Sequence, residues 1–386
     1  WARDVYKRQR YDGSMNFAPG HRWGLFPGLS AGWVISEENF FEPLKDVFSF
    51  FKLKGSWGMM GNDNITAYQY LSMYSFNTDS YYAFGKTPVS VQSIYETVTA
   101  NPLVTWETAK TWNIGFSSQF LNGKLGLDLD YFQSNRNDIL ITRNASIPTY
   151  SGLSLPAENL GKVKNHGFEA IATYRDSKGD FEWGVTGNVT YAKNEVVYAD
   201  EAADTPAWQR ETGHPIDGGT YYKALGIYQT QEQIESTPHL SGTKIGDLIY
   251  QDTNKDGNIT WDDAVRRDKS ATPKWIFGLT LNGSWKGMDV NAFFQGQADA
   301  EILVQPTMNM ATDFYEGRWS ESNTAEQNAA AKWPRAFMKA SSVDNRNSQS
   351  STWWLRDASF VRLKSLEIGY TFPKTLISPL GVEKLR

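Results

Sequence analysis

Cysteine is absent from the 386 residues. That excludes thiol catalysis, zinc–thiolate centres and disulfides, and it accords with a place in the cell envelope. Histidine occurs only as His21, His166, His214 and His239, and no two stand at the helical spacing of a metal pair. No apolar run is long enough for a transmembrane helix. The mean hydropathy of -0.50 therefore excludes a helical membrane protein, but not a β-barrel with a polar inner face. Net charge is -5 and basic residues do not cluster, which argues against nucleic acid as a partner. No G-x-S-x-G elbow, phosphate loop or dinucleotide fingerprint is present. The pairs Glu37-Glu38 and Asp262-Asp263 read as solvated turn residues, not as an acid–base pair. The sequence reads as no enzyme.

Aromatic residues, by contrast, are plentiful: 15 Trp, 19 Tyr and 21 Phe make up 14% of the chain, which suits girdles at two membrane interfaces. Period-2 alternation marks strands at Phe51–Met59, Thr111–Phe120, Leu125–Phe132, Phe168–Tyr174, Phe181–Ala192, Trp275–Trp285, Met288–Gln297 and Phe360–Phe372. Arg22–Ile35 reads the same way, with Trp23, Leu25, Leu29, Ala31, Trp33 and Ile35 on one face. Opposite faces carry Gly, Ser, Thr, Asn and Gln with few Lys or Glu, unlike a solvated surface. Trp at both ends of a strand, as in Trp23/Trp33 and Trp275/Trp285, matches two aromatic belts.

The joints alternate in length. Leu121–Lys124, Asp176–Asp180 and Lys286–Gly287 are tight, whereas Gly61–Trp106, Gln133–Gly167, Val197–Pro273 and Ala298–Ser359 are long. Short turns on one side and long loops on the other are the rhythm of a membrane barrel. The fold expected is all-β: a transmembrane antiparallel β-barrel with long extracellular loops, one unit despite its length. A soluble β-sandwich is the competing source of such alternation. No fixed-period repeat supports a propeller. Gln231–Glu235 reads as a single helical turn, Ser341–Ser351 as a mobile loop, and nothing else as helix. Residues 1–9 are neither apolar nor patterned; they read as a non-native leader outside the fold, or else as a polar loop end.

One motif carries site chemistry. From Asp252 to Asp263 the chain fits a calcium loop, with oxygen ligands at positions one, three and five (Asp252, Asn254, Asp256). Gly257 makes the sharp turn, the Asn258 carbonyl takes position seven, Thr260 position nine and Asp263 position twelve. A hard cation takes about six to eight oxygens, and this spacing wraps a backbone around one sphere. The motif predicts a structural Ca2+ that pins part of the Val197–Pro273 loop, outside any helix–loop–helix setting. Aspartate at position twelve leaves a bidentate contact open. An Asn/Asp/Gly-rich turn without metal is the alternative. Loop aromatics Trp208, Tyr221, Tyr222, Trp319, Trp353 and Trp354 offer faces on which sugar rings stack; filling loop interiors is the equal alternative.

Several stretches, taken in order, carry a family resemblance. Arg22-Trp23-Gly24-Leu25-Phe26-Pro27 leads into Ala31-Gly32-Trp33-Val34-Ile35-Ser36-Glu37-Glu38, and Leu53-Lys54-Gly55-Ser56-Trp57-Gly58 precedes Gly61-Asn62. Trp106-Glu107-Thr108, Asn113-Ile114-Gly115, Asp130-Tyr131-Phe132 and Asp138-Ile139-Leu140 follow. Then come Asn159-Leu160-Gly161-Lys162-Val163 with Asn165, Gly167 and Glu169, and Thr272-Pro273-Lys274-Trp275-Ile276-Phe277-Gly278 with Phe293-Phe294-Gln295-Gly296. Asp357-Ala358-Ser359-Phe360-Val361-Arg362-Leu363-Lys364 and Gly369-Tyr370 close the series. Together they resemble the SusC/RagA branch of TonB-dependent outer-membrane transporters of Bacteroidetes.

The resemblance implies a 22-stranded barrel with an N-terminal plug and a TonB-contacting segment. It also implies the outer membrane of a Gram-negative bacterium and a SusD-like lipoprotein over the mouth. Import of oligosaccharides or peptides would be driven through TonB–ExbB–ExbD, and the calcium loop would lie on the extracellular side. The plug, the TonB-contacting segment, a signal peptide and the final strands are not among these residues, which end at Glu383-Lys384-Leu385-Arg386. Residues 10–386 are therefore expected to form a partial barrel of about half the strands. With unpaired edges, such a piece alone would neither insert nor transport. A secreted or surface β-rich glycan-binding module is the alternative of another class, and a passive porin a third.

Overall fold

The computed structural model describes residues 3–83, 90–143, 156–304, 311–336 and 346–386. Its main element is a ten-stranded sheet, in which sequence neighbours are spatial neighbours wherever the chain stays in the wall. The first strands are β1 (Arg3–Gly13), β2 (Trp23–Val34) and β3 (Phe48–Asn62). A separate hairpin follows, β4 (Met73–Ala83) with β5 (Ser90–Val98). The wall resumes with β6 (Glu107–Phe120), β7 (Leu125–Thr142), β8 (Ala157–Lys178) and β9 (Phe181–Tyr198). After four short strands, β10 (Thr220–Tyr221), β11 (Ala224–Ile227), β12 (Leu248–Tyr250) and β13 (Val265–Arg266), it continues with β14 (Trp275–Trp285) and β15 (Met288–Ala298). Two more short strands, β16 (Glu301–Leu303) and β17 (Leu355–Asp357), precede the last wall strand, β18 (Phe360–Tyr370). The order β1-β2-β3-β6-β7-β8-β9-β14-β15-β18 is an uninterrupted meander, all-β as the alternation predicts.

Register fixes what each face carries. Trp33, Leu53, Phe116, Leu129, Ala170, Val189 and Phe277 are paired in succession and form one apolar row. One step along, Gly32, Lys54, Gly115, Asp130, Glu169 and Thr190 form a polar row on the other face. A single-residue slip would exchange the two faces, so the contrast of media holds the register. On the polar face Lys54 Nζ reaches Asp130 Oδ2 at 2.6 Å across the intervening Gly115. A Cβ at Gly115 would overlap the Asp130 carboxylate and the Leu129 carbonyl. Gly115→Ala is therefore expected to split the Lys54–Asp130 pair and to cost about 1–3 kcal/mol of wall stability. A heat-modifiable gel shift at a lower temperature in the complete barrel would show it; an unchanged shift would refute it.

The tight joints obey hairpin chemistry. Asn122 and Gly123 have φ of 55° and 82°, and Lys286 and Gly287 have 48° and 88°, the positive values that primed turns need. One joint at the same end is longer: Ile35–Glu37 and Asn39–Leu44 form 3-10 turns between β2 and β3.

Three expectations are corrected. Strands read as ending at Phe132 and beginning at Phe168 extend to Thr142 and from Ala157, so much of the expected loop Gln133–Gly167 is ladder. The joint Gly61–Trp106 contains the β4–β5 hairpin. Residues 3–9, expected outside the fold, pair in register with Pro27–Trp33, because an edge strand needs only backbone ladder bonds.

Residues 204–273 and 297–359 form a second compact unit with its own core. Tyr222, Ile227, Leu248, Tyr250, Ile259, Ala264, Trp319, Trp333 and Trp354 are buried together there. Short strand pairs frame it (β10–β13, β11–β12 and β16–β17). The helical turn expected near Gln231 is α1 (Gln231–Ser236), started by a capping box between Thr230 and Gln233. Short helices not expected are α2 (Ala311–Gly317), α3 (Ala325–Ala329) and, outside this unit, α4 (Lys374–Ile377). Of the stretch expected to be a mobile loop, 341–345 lie outside the described residues. Arg346–Ser348 is a 3-10 turn, and Asn347 and Ser351 are fully buried.

Candidate functional site

The Asp252 turn is folded by its own side chains. Asp252 Oδ2 accepts the Gly257 N–H at 3.0 Å, closing position one over position six. Asn254 Oδ1 accepts from the Asp256 N–H at 3.0 Å, and Asp256 Oδ1 from the Asn258 N–H at 2.7 Å. Lys255 and Gly257 adopt φ of 61° and 84°, so the chain reverses twice in three residues, with glycine at the tighter reversal. Thr260 caps the 3-10 turn Trp261–Asp263, its hydroxyl accepting from the Asp262 N–H at 3.3 Å.

Asp263 closes the loop. It is fully buried, and its Oδ1 accepts from Thr253 N at 2.7 Å and Asn254 N at 3.3 Å while Oδ2 accepts from Thr260 N at 2.8 Å. Thr253 Oγ1 also donates to the Asp263 carbonyl at 2.8 Å. The residue at position twelve is thus a backbone staple. Asp252 Oδ1 is different: it is a buried carboxylate oxygen with no hydrogen-bond partner. Among the described residues, no three carboxylate, imidazole or thiolate side chains converge as a metal cluster. The oxygens at the turn are of mixed kind, from carboxylate, amide, hydroxyl and backbone carbonyl groups, all hard by type.

The candidate aromatics divide. Tyr222, Trp319 and Trp354 are core side chains of the loop unit, and Trp353 packs against that core. Trp354 is fully buried, stacks on Trp333 at 5.6 Å and donates its indole N–H to the Asn347 carbonyl at 2.9 Å. Tyr222 packs on Tyr250 at 5.2 Å and edge-on to Trp261 at 5.8 Å. Rings covered in this way offer no face to a sugar, which corrects the stacking expectation for Tyr222, Trp319 and Trp354. Trp208 and Tyr221 are half-buried. The Trp208 indole donates to the Asp262 carbonyl at 2.8 Å, tying it to the Asp252 turn.

A polar knot that the sequence did not suggest lies in the same unit. Asp247, fully buried, meets Arg335 Nε at 2.6 Å, the Asn347 amide at 2.7 Å and the Lys244 N–H at 2.8 Å. Asn347 in turn accepts from Leu248 N at 2.9 Å. The Tyr250 hydroxyl donates to the Arg346 carbonyl at 2.6 Å, and burial pushes its pKa far above that of a free phenol. Partners so distant in sequence leave no local signature.

Known proteins share this architecture. The family model described as TonB dependent receptor-like, beta-barrel matches residues 3–383. TonB-dependent receptor P3 of Formosa agariphila is 28% identical, the alignment covering 98% of this chain and 38% of the relative. TonB-dependent receptor SusC of Bacteroides thetaiotaomicron is also 28% identical, over 94% of the chain and 36% of that protein. A solved structure of the RagAB peptide transporter superposes with a TM-score of 0.71 at 22% identity, over 98% of this chain and 40% of that one. These relatives match the SusC/RagA resemblance, and the chain spans under two-fifths of the curated relatives' length. The chain belongs to the TonB-dependent receptor-like β-barrel family of the Gram-negative outer membrane and supplies part of its barrel wall.

Proposed function

We propose that the complete protein is a TonB-dependent importer of oligosaccharides or peptides, working with a SusD-like lipoprotein and energised through TonB–ExbB–ExbD. The observation that carries this reading is the ten-stranded meander with one apolar and one polar face, joined to the family match over residues 3–383. In a membrane the apolar row faces lipid, and the polar row, with Lys54, Asp130 and Glu169, lines the passage. This face contributes weak polar contacts, while gating belongs to other parts of the complete protein. A glycan-binding module would need a second sheet over the apolar face, whereas among the described residues that face belongs to one ten-stranded sheet.

Deleting the whole gene in the source bacterium is expected to abolish growth on one class of oligosaccharide or peptide. Loss of TonB should do the same, and a lipoprotein should co-purify with the receptor. Uptake that survives without TonB would overturn the reading and favour a porin.

The same proposal includes a structural Ca2+ at the Asp252 turn, on the extracellular side. Asp252, Asn254, Asp256, the Asn258 carbonyl and Thr260 would hold it, Asp263 would close the loop through its bonds to the backbone, and the orphaned Asp252 Oδ1 supports the fit. The ion would supply positive charge to a loop whose carboxylates otherwise repel. Asp252→Ala with Asp256→Ala is expected to leave the wall intact and to remove any calcium-dependent protection of residues 204–273 from protease. If calcium gives the unaltered protein no protection, the site assignment fails.

A further inference from the structure

We propose that a cleft beside α2 and α3 holds a short peptide by its two charged ends, which rests on the importer reading and narrows its cargo to peptide. The cleft lies wholly within the loop unit and has a volume of about 410 Å³. Small-ligand sites occupy about 300–1,000 Å³, so one short chain fits. Its walls are tied together. The Lys332 N–H donates to the Gly317 carbonyl and the Trp319 N–H to the Trp333 carbonyl, both at 2.9 Å. The Asn323 amide donates to the Arg318 carbonyl at 3.0 Å and to Asn328 Oδ1 at 3.1 Å. Thr324 and Gln327 close a capping box at the start of α3. A cleft braced in this way is formed before its ligand arrives, so little is lost in ordering it.

The charges lining the cleft are of both signs. The Arg318 guanidinium lies over the Tyr315 ring, 3.8 Å from its centroid, and also donates to the Tyr315 carbonyl. Those contacts pin the fork and leave further N–H groups for a carboxylate, which a guanidinium grips in bidentate fashion. Lys332 brings a second cation to the same cleft. Asp313 and Glu316 line it as well, three residues apart on α2 and so on one side of that turn. The side chains of Asp313, Glu316 and Lys332 make no hydrogen bond or ion pair among the described residues. Uncommitted carboxylates and cations in one cleft suit a ligand that carries both signs. A neutral oligosaccharide would leave all four side chains without a counter-charge, and an acidic glycan would answer the cations alone. A peptide answers both, through its ammonium and its carboxylate, whatever its side chains.

Calorimetry on the complete receptor, purified with any lipoprotein that accompanies it, tests this with di-, tri- and tetra-alanine. The best bound of the three is expected to lose at least tenfold in affinity when its amine is acetylated or its carboxylate amidated. Arg318→Gln or Lys332→Gln should remove the preference for acid over amide and leave the preference for free amine. Asp313→Asn with Glu316→Gln should do the reverse. Only variants whose loop unit resists protease as the parent does are read. Lys332, whose side chain touches no partner, gives the reading for the cations if Arg318→Gln loosens the turn. Equal binding of free and blocked peptides would overturn the proposal, as would preferences that survive both Lys332→Gln and the acidic double variant. Failure of every alanine peptide to bind would overturn it too, all the more if maltotetraose binds instead. None of these results touches the importer reading, which fails on uptake that persists without TonB.

Discussion

Trp354→Ala is expected to cost roughly 3–5 kcal/mol and to unfold the loop unit while the wall stands. The side chain is fully buried, so its loss opens a cavity that the neighbouring Trp333 ring, stacked at 5.6 Å, cannot fill without leaving its own packing. The Asn347 carbonyl also loses its indole donor inside the core. The measurement is limited proteolysis of the complete receptor in lipid. Cleavage should appear within 204–273 and 297–359 with the heat-modifiable shift of the barrel unchanged. If the loop unit resists protease as before, Trp354 is not part of a packed core. If the shift is lost as well, the two units do not fold separately.

How much could be read from the sequence follows from which medium each residue faces. Where a strand crosses lipid, alternation is enforced, and Trp275–Trp285 matches its expected bounds to the residue. Beyond the lipid, water lies on both sides and the alternation lapses. Asn135-Arg136-Asn137-Asp138 therefore reads as loop although β7 runs through it. Its ladder there is held partly by side chains: the Asn159 amide donates to the Asp138 carbonyl at 2.7 Å and to the Thr105 carbonyl at 2.9 Å. Arg3–Gly13 is obscure for a related reason. Its Arg, Lys and Asp residues break the apolar alternation, so the strand looks like a polar tail although its backbone pairs with β2.

The candidate site divides along the same line. The Asp252 turn was legible because its contacts are local, each donor within a few residues of its acceptor. The role of Asp263 as a backbone staple was not, since the template at position twelve describes metal ligation alone. The loop aromatics show the limit most clearly. Trp319, Trp333 and Trp354 come together from separate stretches, and only three-dimensional packing distinguishes a core tryptophan from a binding one.

Asp247→Ala should be as damaging as the loss of Trp354, for an electrostatic reason. It removes the carboxylate beside Arg335 Nε and strands the Asn347 amide and the Lys244 N–H in a dry site. Taking one partner from a buried ion pair costs about 3–5 kcal/mol, most of it the desolvation of the charge left behind. Arg335→Met in the Asp247→Ala background removes that stranded charge, so the double variant should regain roughly 1–3 kcal/mol of what the single variant lost. Denaturant-dependent proteolysis of the loop unit in the complete receptor measures both. A double variant no better than the single would mean that Asp247 acts through its bonds to Asn347 and Lys244 and not through Arg335. The knot would then be a hydrogen-bonded brace for β12, next to the Asp252 turn in sequence, and not an ion pair at all.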